Sequence, residues 1–355
     1  MKELKNLRKK VDKLDSLILD LLNKRAKLTL EIGKLKVKKG ASVFVPDREK
    51  EVYDKVTQAN KGPLSKTAIK AIYREVMSGA LALEKTPKIA YLGPQATFTH
   101  LASLKKFGSS VEYVACNNIT DVFQEVEQQR CDYGVVPIEN SIEGAVSHTL
   151  DMFVDTDLKI CSEILLEVSH NLLGNCGLKE IKKVYSKAEV FGQCRIWLET
   201  NLPRVELIEV SSTTKAAELA ANQKHAAAIA SSLAAQVYKL KVISRSIEDS
   251  AHNITRFLVI GKTEARPTKK DKTSILFSAK DRVGVLHDML VPFKKYKINL
   301  TKIESRPSKR KAWEYYFFID FAGHYQDKNV KKALDELEKN CSFLKVLGSY
   351  PVLEE

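Results

Sequence analysis

Nowhere in the 355-residue sequence does an apolar run approach the roughly 18–20 residues that a membrane-spanning helix needs. The N-terminus, Met1-Lys-Glu-Leu-Lys-Asn-Leu-Arg8, is charged from the start and lacks the apolar stretch of a secretory signal, so a cytoplasmic protein with no membrane partner is expected. Cysteine is sparse: Cys116, Cys131, Cys161, Cys176, Cys194 and Cys341 never fall in C-x-x-C spacing, and read as buried thiols in a reducing compartment. The seven histidines form no H-E-x-x-H or similar cluster, so neither a metal nor another cofactor is expected. Acidic residues are outnumbered, 44 against 58 basic, for a net charge of +14. The excess is spread along the chain, and its local runs, Lys269-Lys270 and Lys309-Arg310-Lys311, look like linker and loop. No nucleic-acid module accompanies it, so the charge points to small anionic metabolites rather than nucleic acid. The length exceeds what one core organises, and two or three domains are expected.

What is present centres on Gly134-Val-Val-Pro-Ile-Glu-Asn-Ser-Ile-Glu-Gly-Ala-Val146. Tyr133 to Ile138 has the β-branched, apolar pattern of a buried strand. It stops at Glu139-Asn140-Ser141, and ligands of open α/β sheets bind at the carboxyl ends of strands. On local pattern alone, Asn140 or Ser141 capping a following helix explains the tripeptide better.

The first 35 residues carry apolar side chains at Leu4, Leu7, Val11, Leu14, Ile18, Leu21, Leu28, Ile32 and Leu35, a heptad seam on one long helix. Arg25 interrupts it. A guanidinium on an apolar seam is costly unless an anion meets it, although it can also snorkel or pair with a carboxylate nearby. Lys36 falls close to the same helix face, so the two cations can bracket a small dianion, whereas Arg8 points about 100° away. Helices are also expected from about Asp47 to Ala59 and Ser65 to Leu83, after breaks at Gly40, Pro46 and Asn60-Lys-Gly-Pro63. Three helices cannot bury so long a seam alone, and a homodimer or higher homo-oligomer is expected.

With those cations in place, Met1 to about Lys85 resembles the all-helical chorismate mutases. The resemblance implies that Arg8 (entering the partner's site), Arg25, Lys36, Arg48 and Glu49 bind chorismate. It also implies that Glu84 donates to the ether oxygen, for which a glutamate must be protonated. Rearranging chorismate to prephenate needs no nucleophile. Gripping two carboxylates in a reactive conformer, with cations where charge develops, is sufficient chemistry.

From Lys88 to about Gly261 strand-like and helix-like segments alternate, the α/β signature. Strands are expected at Lys88–Leu92, Val111–Ala115, Tyr133–Ile138, Lys159–Leu172, Lys183–Ser186, Val205–Val210, Ala227–Ile229 and Phe257–Ile260. Helices are expected near Ile119–Gln129, Phe191–Asn201, Lys215–Asn222 and Ser231–Tyr238. Polar residues gather at junctions: Thr97, Glu139-Asn140-Ser141, Ser212-Thr213 and Asn253-Ile-Thr-Arg-Phe257. Taken in order, these resemble the motifs of prephenate dehydratases, over about Pro87 to Lys262. That implies a two-lobed fold like type II periplasmic binding proteins, with the second lobe at roughly 167–244. It also implies Thr255 as the hydrogen-bond or proton donor, Arg256 as a bidentate substrate anchor, and Thr97, Glu139, Asn140, Ser141, Ser212, Thr213, Asn253 and Phe257 as further substrate contacts. Ala96 stands where many members have Gly, and Lys187 where His is common.

After the polar stretch Arg266 to Lys272, the order Thr273–Ala279, Val285–Tyr296, Asn299–Ser305, Ala312–Phe321, Lys328–Asn340 and Phe343–Tyr350 reads βαββαβ, the ferredoxin-like plan. Gly284-Val-Leu-His287 and Glu304-Ser-Arg-Pro307 resemble effector motifs of ACT regulatory domains. That implies an L-phenylalanine site at Gly284, Val285, Leu286, His287, Asn299, Leu300, Glu304, Ser305 and Arg306.

The expected plan is multidomain: all-α helices (1–86), a two-lobed α/β domain (87–265) and an α+β ACT domain (272–355). The expected function is that of bifunctional chorismate mutase/prephenate dehydratases under phenylalanine feedback. A periplasmic-type sensor, or a mutase segment kept only as a scaffold, would lack the sets at Thr255-Arg256 and at Arg8, Arg25, Lys36 and Arg48.

Overall fold

The computed structural model describes residues 1–38, 45–250, 252–279, 282–308 and 314–352. Gly40, the run Lys309-Arg310-Lys311 and the expected strand start at Ala312 lie outside the described residues. The chain divides into two compact units, Met1–Lys88 with Lys106–Glu112, and Ile89–Lys105 with Tyr113–Glu355.

The first unit is helical: α1 (Lys2–Lys38), α2 (Pro46–Ala59) and α3 (Lys66–Glu84). Pro46 opens α2 at a position where a missing N–H costs nothing, and the Ser65 hydroxyl caps α3 by accepting from Ala68 N. The heptad seam of α1 stays open, from 51% exposed at Ile32 to 61% at Leu28.

In the second unit, β1 (Lys88–Leu92), α4 (Phe98–Phe107), β2 (Glu112–Cys116), α5 (Ile119–Glu127), β3 (Tyr133–Asn140), β4 (Gly144–Ala145), α6 (Ser147–Asp155) and β5 (Lys159–Glu167) build a first lobe. The chain then crosses to a second lobe made of β6 (Asn171–Gly174), β7 (Lys183–Ser186), α7 (Ala188–Gln193), α8 (Arg195–Asn201), β8 (Glu206–Glu209), α9 (Thr213–Ala221), β9 (Ala226–Ala230), α10 (Ser232–Val237) and β10 (Lys241–Ser244). It returns as β11 (Ile254–Gly261), inserted between β3 and β5 and antiparallel to both. The sheet orders are β2-β1-β3-β11-β5, with β4 beside β3, and β10-β6-β9-β7-β8.

Three expectations change. The strand expected over Lys159–Leu172 is two strands in different sheets, because the chain changes lobe at 168–170, where Ser169-His170 interrupts the run. The helix expected over Phe191–Asn201 breaks at Cys194. There the Asp249 carboxylate accepts from the Ile196 and Trp197 amides and starts α8 afresh. Finally, Thr255 and Arg256, expected ahead of a strand at Phe257, are the second and third residues of β11, while Glu139 and Asn140 end β3 at the carboxyl edge where the tripeptide is expected.

The C-terminal residues form β12 (Asp271–Ser278), α11 (Val285–Lys295), β13 (Leu300–Pro307), β14 (Tyr315–Ala322), α12 (Lys328–Glu338) and β15 (Phe343–Pro351), a βαββαβ sheet ordered β13-β14-β12-β15. Alternation along β12 decides where each side chain goes. Ile275 and Phe277 join Met289, Phe293 and Val330 under the two helices, while Leu276 joins Phe318, Leu347 and Tyr350 on the other face. That second face shares one core with Ile138, Leu150, Phe153, Ile160 and Leu258 of the first lobe. Each such buried side chain contributes about 1.5–3 kcal/mol. The C-terminal sheet is therefore part of the lobe's interior, and Asp271 and Lys272, expected in a linker, already belong to its first strand.

Candidate active sites

Between β3 and β11, Asn140 lies opposite Thr255 and Glu139 opposite Arg256. Side chains alternate along a strand, so Asn140 and Thr255 share one face and Glu139 and Arg256 the other. The Asn140 Oδ1 accepts from the amides of Ile142 and Glu143, both at 2.9 Å, which fixes the orientation of its carboxamide. Its Nδ2 then donates to Thr255 Oγ1 at 2.8 Å and to Asn253 Oδ1 at 2.7 Å. Asn253 Nδ2 donates to Gln193 Oε1, and Gln193 Nε2 donates to Glu143 Oε1, both at 3.0 Å. The bonds close a ring through both lobes. Because Thr255 Oγ1 accepts within it, the Thr255 proton is left to point elsewhere.

His170 joins the ring through Nε2, 2.8 Å from Gln193 Oε1. That oxygen is an acceptor, so the imidazole proton sits on Nε2. Burial holds the His170 pKa below its usual value, partly countered by Gln193 and Glu248, and its Nδ1 has no hydrogen-bond partner among the described residues. Phe98 stands edge-on to the imidazole at 5.6 Å. Ser141 Oγ donates to His252 O and accepts from Ile254 N, tying the end of β3 to the start of β11. Thr97 Oγ1 donates to Leu92 O and accepts from His100 N, and Ser212 caps α9 through Lys215 N. Thr213 and Phe257 are buried. Ala96 adopts a φ of +71°, a backbone that favours glycine, and its carbonyl accepts from Ser231 Oγ of the second lobe.

The motif resemblance implies Arg256 beside Thr255 as a substrate anchor, but the structure does not bring it there. Strand alternation sends it to the opposite face, where Nε donates to Glu163 at 2.8 Å, Nη1 to Asp320 at 2.6 Å and Nη2 to the Tyr350 hydroxyl at 2.9 Å. Burial alone would lower its pKa, and Tyr350, Asp320 and Glu163 more than reverse that. Glu139 lies on the same face with Lys302 Nζ 2.8 Å away.

In the helical unit, Lys36 Nζ meets Glu84 Oε2 at 3.3 Å, the carboxylate being almost fully buried. A Cβ on Gly33 would come within 2.7 Å of the Glu84 Cγ, so this glycine makes the room in which Glu84 lies. Arg25 is half-buried and Arg8 exposed. Arg48 turns to Glu51 at 2.5 Å, and Glu49 is engaged by Lys106 at 2.5 Å.

In the C-terminal sheet Gly284 precedes α11 with a φ of +78°, and a Cβ there would meet nothing within 4 Å, so conformation rather than space calls for glycine. Val285 is partly buried, Leu286 exposed, and His287 exposed beside Asp288. Asn299 O and Leu300 join β13 to β14. Glu304 and Ser305 lie in β13, and Arg306 instead reaches α6, with Nη1 2.6 Å from Ser147 Oγ and Nη2 3.3 Å from Asp151.

Family models match the three segments: chorismate mutase type II over 7–85, prephenate dehydratase over 89–265 and ACT domain over 273–339. The bifunctional chorismate mutase/prephenate dehydratase of Aquifex aeolicus is 52% identical over 99% of this chain and 98% of its own length. The chain belongs to the bifunctional chorismate mutase/prephenate dehydratase family. The Pseudomonas aeruginosa member is 44% identical, again over 98% of both chains. A prephenate dehydratase from Arthrobacter aurescens, solved in complex with L-Phe, superposes with a TM-score of 0.70 at 31% identity, over 75% of this chain and 90% of that one. Both activities, the fold and the ACT domain thus follow for this chain.

Residue-level reading of the sequence missed Gln193, His170 and Gly33. Gln193 sits in a stretch that reads as continuous helix, and nothing local announces that it faces Asn253. Gly33, an interruption in a strong helical pattern, was a visible sign of close helix approach.

Proposed function

We propose that the chain converts chorismate to prephenate in its helical unit and prephenate to phenylpyruvate between its α/β lobes, as a cytoplasmic homodimer of phenylalanine biosynthesis inhibited by L-phenylalanine. The hydrogen-bond ring through Asn140, Asn253, Gln193 and Glu143 carries the dehydratase assignment. In dehydration, the C–C bond to the ring carboxylate breaks and releases CO2. Its electron pair enters the ring, and the C4–O bond breaks as the ring becomes aromatic. Thr255, oriented by Asn140, directs its O–H at the departing hydroxyl, so the leaving group departs as water once the proton is transferred or supplied through it. A preorganised donor of this kind is worth about 10²–10³ in rate. Asn253 and Ser141 hold the two strand ends in register, while Thr97, Ser212 and Thr213 are, by the motif resemblance, the candidate contacts for the substrate's carboxylates.

Arg25 and Lys36 grip the chorismate carboxylates, Glu84 serves the ether oxygen, and Arg8 of one protomer completes the partner's site. The open apolar seam of α1 supports the dimer, since burying it requires a second copy. The L-Phe complex of the Arthrobacter relative supports L-phenylalanine as a ligand, and the motif resemblance at Gly284 and Glu304 is what assigns it to the C-terminal sheet. The test is calorimetric titration of the full-length chain with L-phenylalanine beside an assay on prephenate. Binding together with inhibition is expected, and Gly284→Val is expected to remove both while catalysis remains. Absence of binding would overturn the regulatory reading.

A further inference from the structure

The two strands that present Asn140 and Thr255 are gripped from behind by the ACT sheet. Each of these residues has, as its immediate chain neighbour, a charged residue whose side chain is held by that sheet. Arg256 follows Thr255 and ends on Asp320 of β14 and Tyr350 of β15, while Glu139 precedes Asn140 and faces Lys302 of β13. We propose that Arg256, clamped by Asp320 and Tyr350, and Glu139, ion-paired with Lys302, are positioning residues for dehydration, through which the ACT sheet sets the distance between Asn140 and Thr255. The inference rests on the reading that Thr255 acts on the leaving group.

Three observations carry it. First, the charges balance within the cluster: Arg256, Lys272 and Lys302 against Glu163, Asp320 and Glu139. Glu163 is 2% exposed and Asp320 7%, so neither can turn to water for a substitute partner. Buried pairs of this kind add little net stability, but removing one partner leaves an uncompensated buried charge. Second, the two sheets leave a cavity beside Arg256, lined by Ser274, Lys302 and Asp320 together with Ile138 and Leu258. Beside this cavity the sheets are joined by these ionic and hydrogen bonds as well as by the shared apolar core, so a shift of the ACT sheet moves the backbone of β11 and β3. Third, the cluster is cross-braced on the sheet side, where Ser274 Oγ lies 2.5 Å from Asp320 Oδ1 and 2.7 Å from the Tyr350 hydroxyl. The acceptors that hold Arg256 are themselves held.

β13 also connects this clamp to the region where feedback is proposed. Lys302, at Glu139, and Arg306, at Ser147 and Asp151, flank Glu304 on the same strand. A ligand that displaces β13 would act on Glu139 directly.

The experiment uses the full-length chain and two substitutions outside the cleft, Asp320→Asn and the milder Tyr350→Phe, each alone and combined with Thr255→Ala. The near-UV circular dichroism and thermal transition of each variant against the parent serve as the control for folding of the dehydratase unit. Misplacing a catalytic group by an ångström costs up to about 100-fold. Asp320→Asn is expected to lower dehydratase kcat by about 10–100-fold and Tyr350→Phe by about 3–10-fold, with KM for prephenate within about threefold. Asp320→Glu should return part of the loss. In the Thr255→Ala background neither change should lower kcat further, because the group being positioned is gone. Full additivity there, or a wild-type kcat in both single variants, would overturn the proposal. A Thr255→Ala enzyme with undiminished kcat would instead remove the Thr255 reading, and is recognisable before the double variants are measured.

Discussion

Asn140→Asp changes one atom's chemistry and almost nothing of the shape, so its effect can be worked out contact by contact. The oxygen that accepts from the Ile142 and Glu143 amides is retained, so the side chain keeps its place. The group that replaces Nδ2 is an acceptor, 2.8 Å from Thr255 Oγ1 and 2.7 Å from Asn253 Oδ1. Toward Asn253, two acceptors now confront each other, an unmet contact costing about 1–3 kcal/mol. Toward Thr255 the bond survives only by reversal: the threonine proton turns to the new carboxylate and away from the substrate. Losing one oriented donor at the reacting oxygen removes about 10²–10³ in kcat. The assay is phenylpyruvate formation from supplied prephenate, with the thermal transition of the variant against the parent as the folding control. KM should change far less than kcat. Lowering the pH should restore part of the rate, because protonating the carboxylate gives back a donor toward Thr255. A kcat within about threefold of the parent, or a loss confined to KM, would refute the claim that the orientation of Asn140 governs Thr255.

Other outcomes rest on single contacts. Gly33→Ala should abolish most mutase turnover and leave dehydration intact, since its Cβ would drive the Glu84 side chain from its place; chorismate consumption measures this. His170 is buried with its pKa below the ordinary value of about 6.5. Its contribution is therefore present above that pH and is lost as pH falls through the depressed folded value, when the unfolded chain binds the extra proton. Urea midpoints of the dehydratase unit should drop on the acid side, and His170→Gln should flatten that limb. Ala96→Gly should be neutral or stabilising by up to about 1 kcal/mol, relief of a left-handed backbone offsetting the lost methyl; thermal denaturation measures the sign.

Much of this architecture was legible in the sequence because each segment has a strong period: the seam of α1, the alternation of strands and helices, and the βαββαβ order of the last module. Thr255, Asn140 and Asn253 could be named for the same site only because their motifs, in order, resemble those of prephenate dehydratases. What sequence could not give was which face of a strand each residue takes relative to a second sheet. Arg256 reads as an anchor beside Thr255 until β15 and β14 are seen packed behind β11, and Arg306 reads as part of an effector site until Ser147 and Asp151 are found against it. The stretch Arg266 to Lys272 looks like a dispensable linker by composition. Yet Leu276, Phe318, Leu347 and Tyr350 complete the core of the first lobe, so removing the module would open that core.

The measurement that tests the two-site account most directly is a time course on chorismate with the parent chain, Arg25→Ala and Thr255→Ala, tracking prephenate and phenylpyruvate together. The parent should pass chorismate through prephenate to phenylpyruvate. Arg25→Ala should leave chorismate unconsumed yet dehydrate supplied prephenate, and Thr255→Ala should stop at accumulated prephenate. Loss of both activities from either substitution, with the protein still folded, or loss of neither, would contradict two separate sites with these residues at their centres.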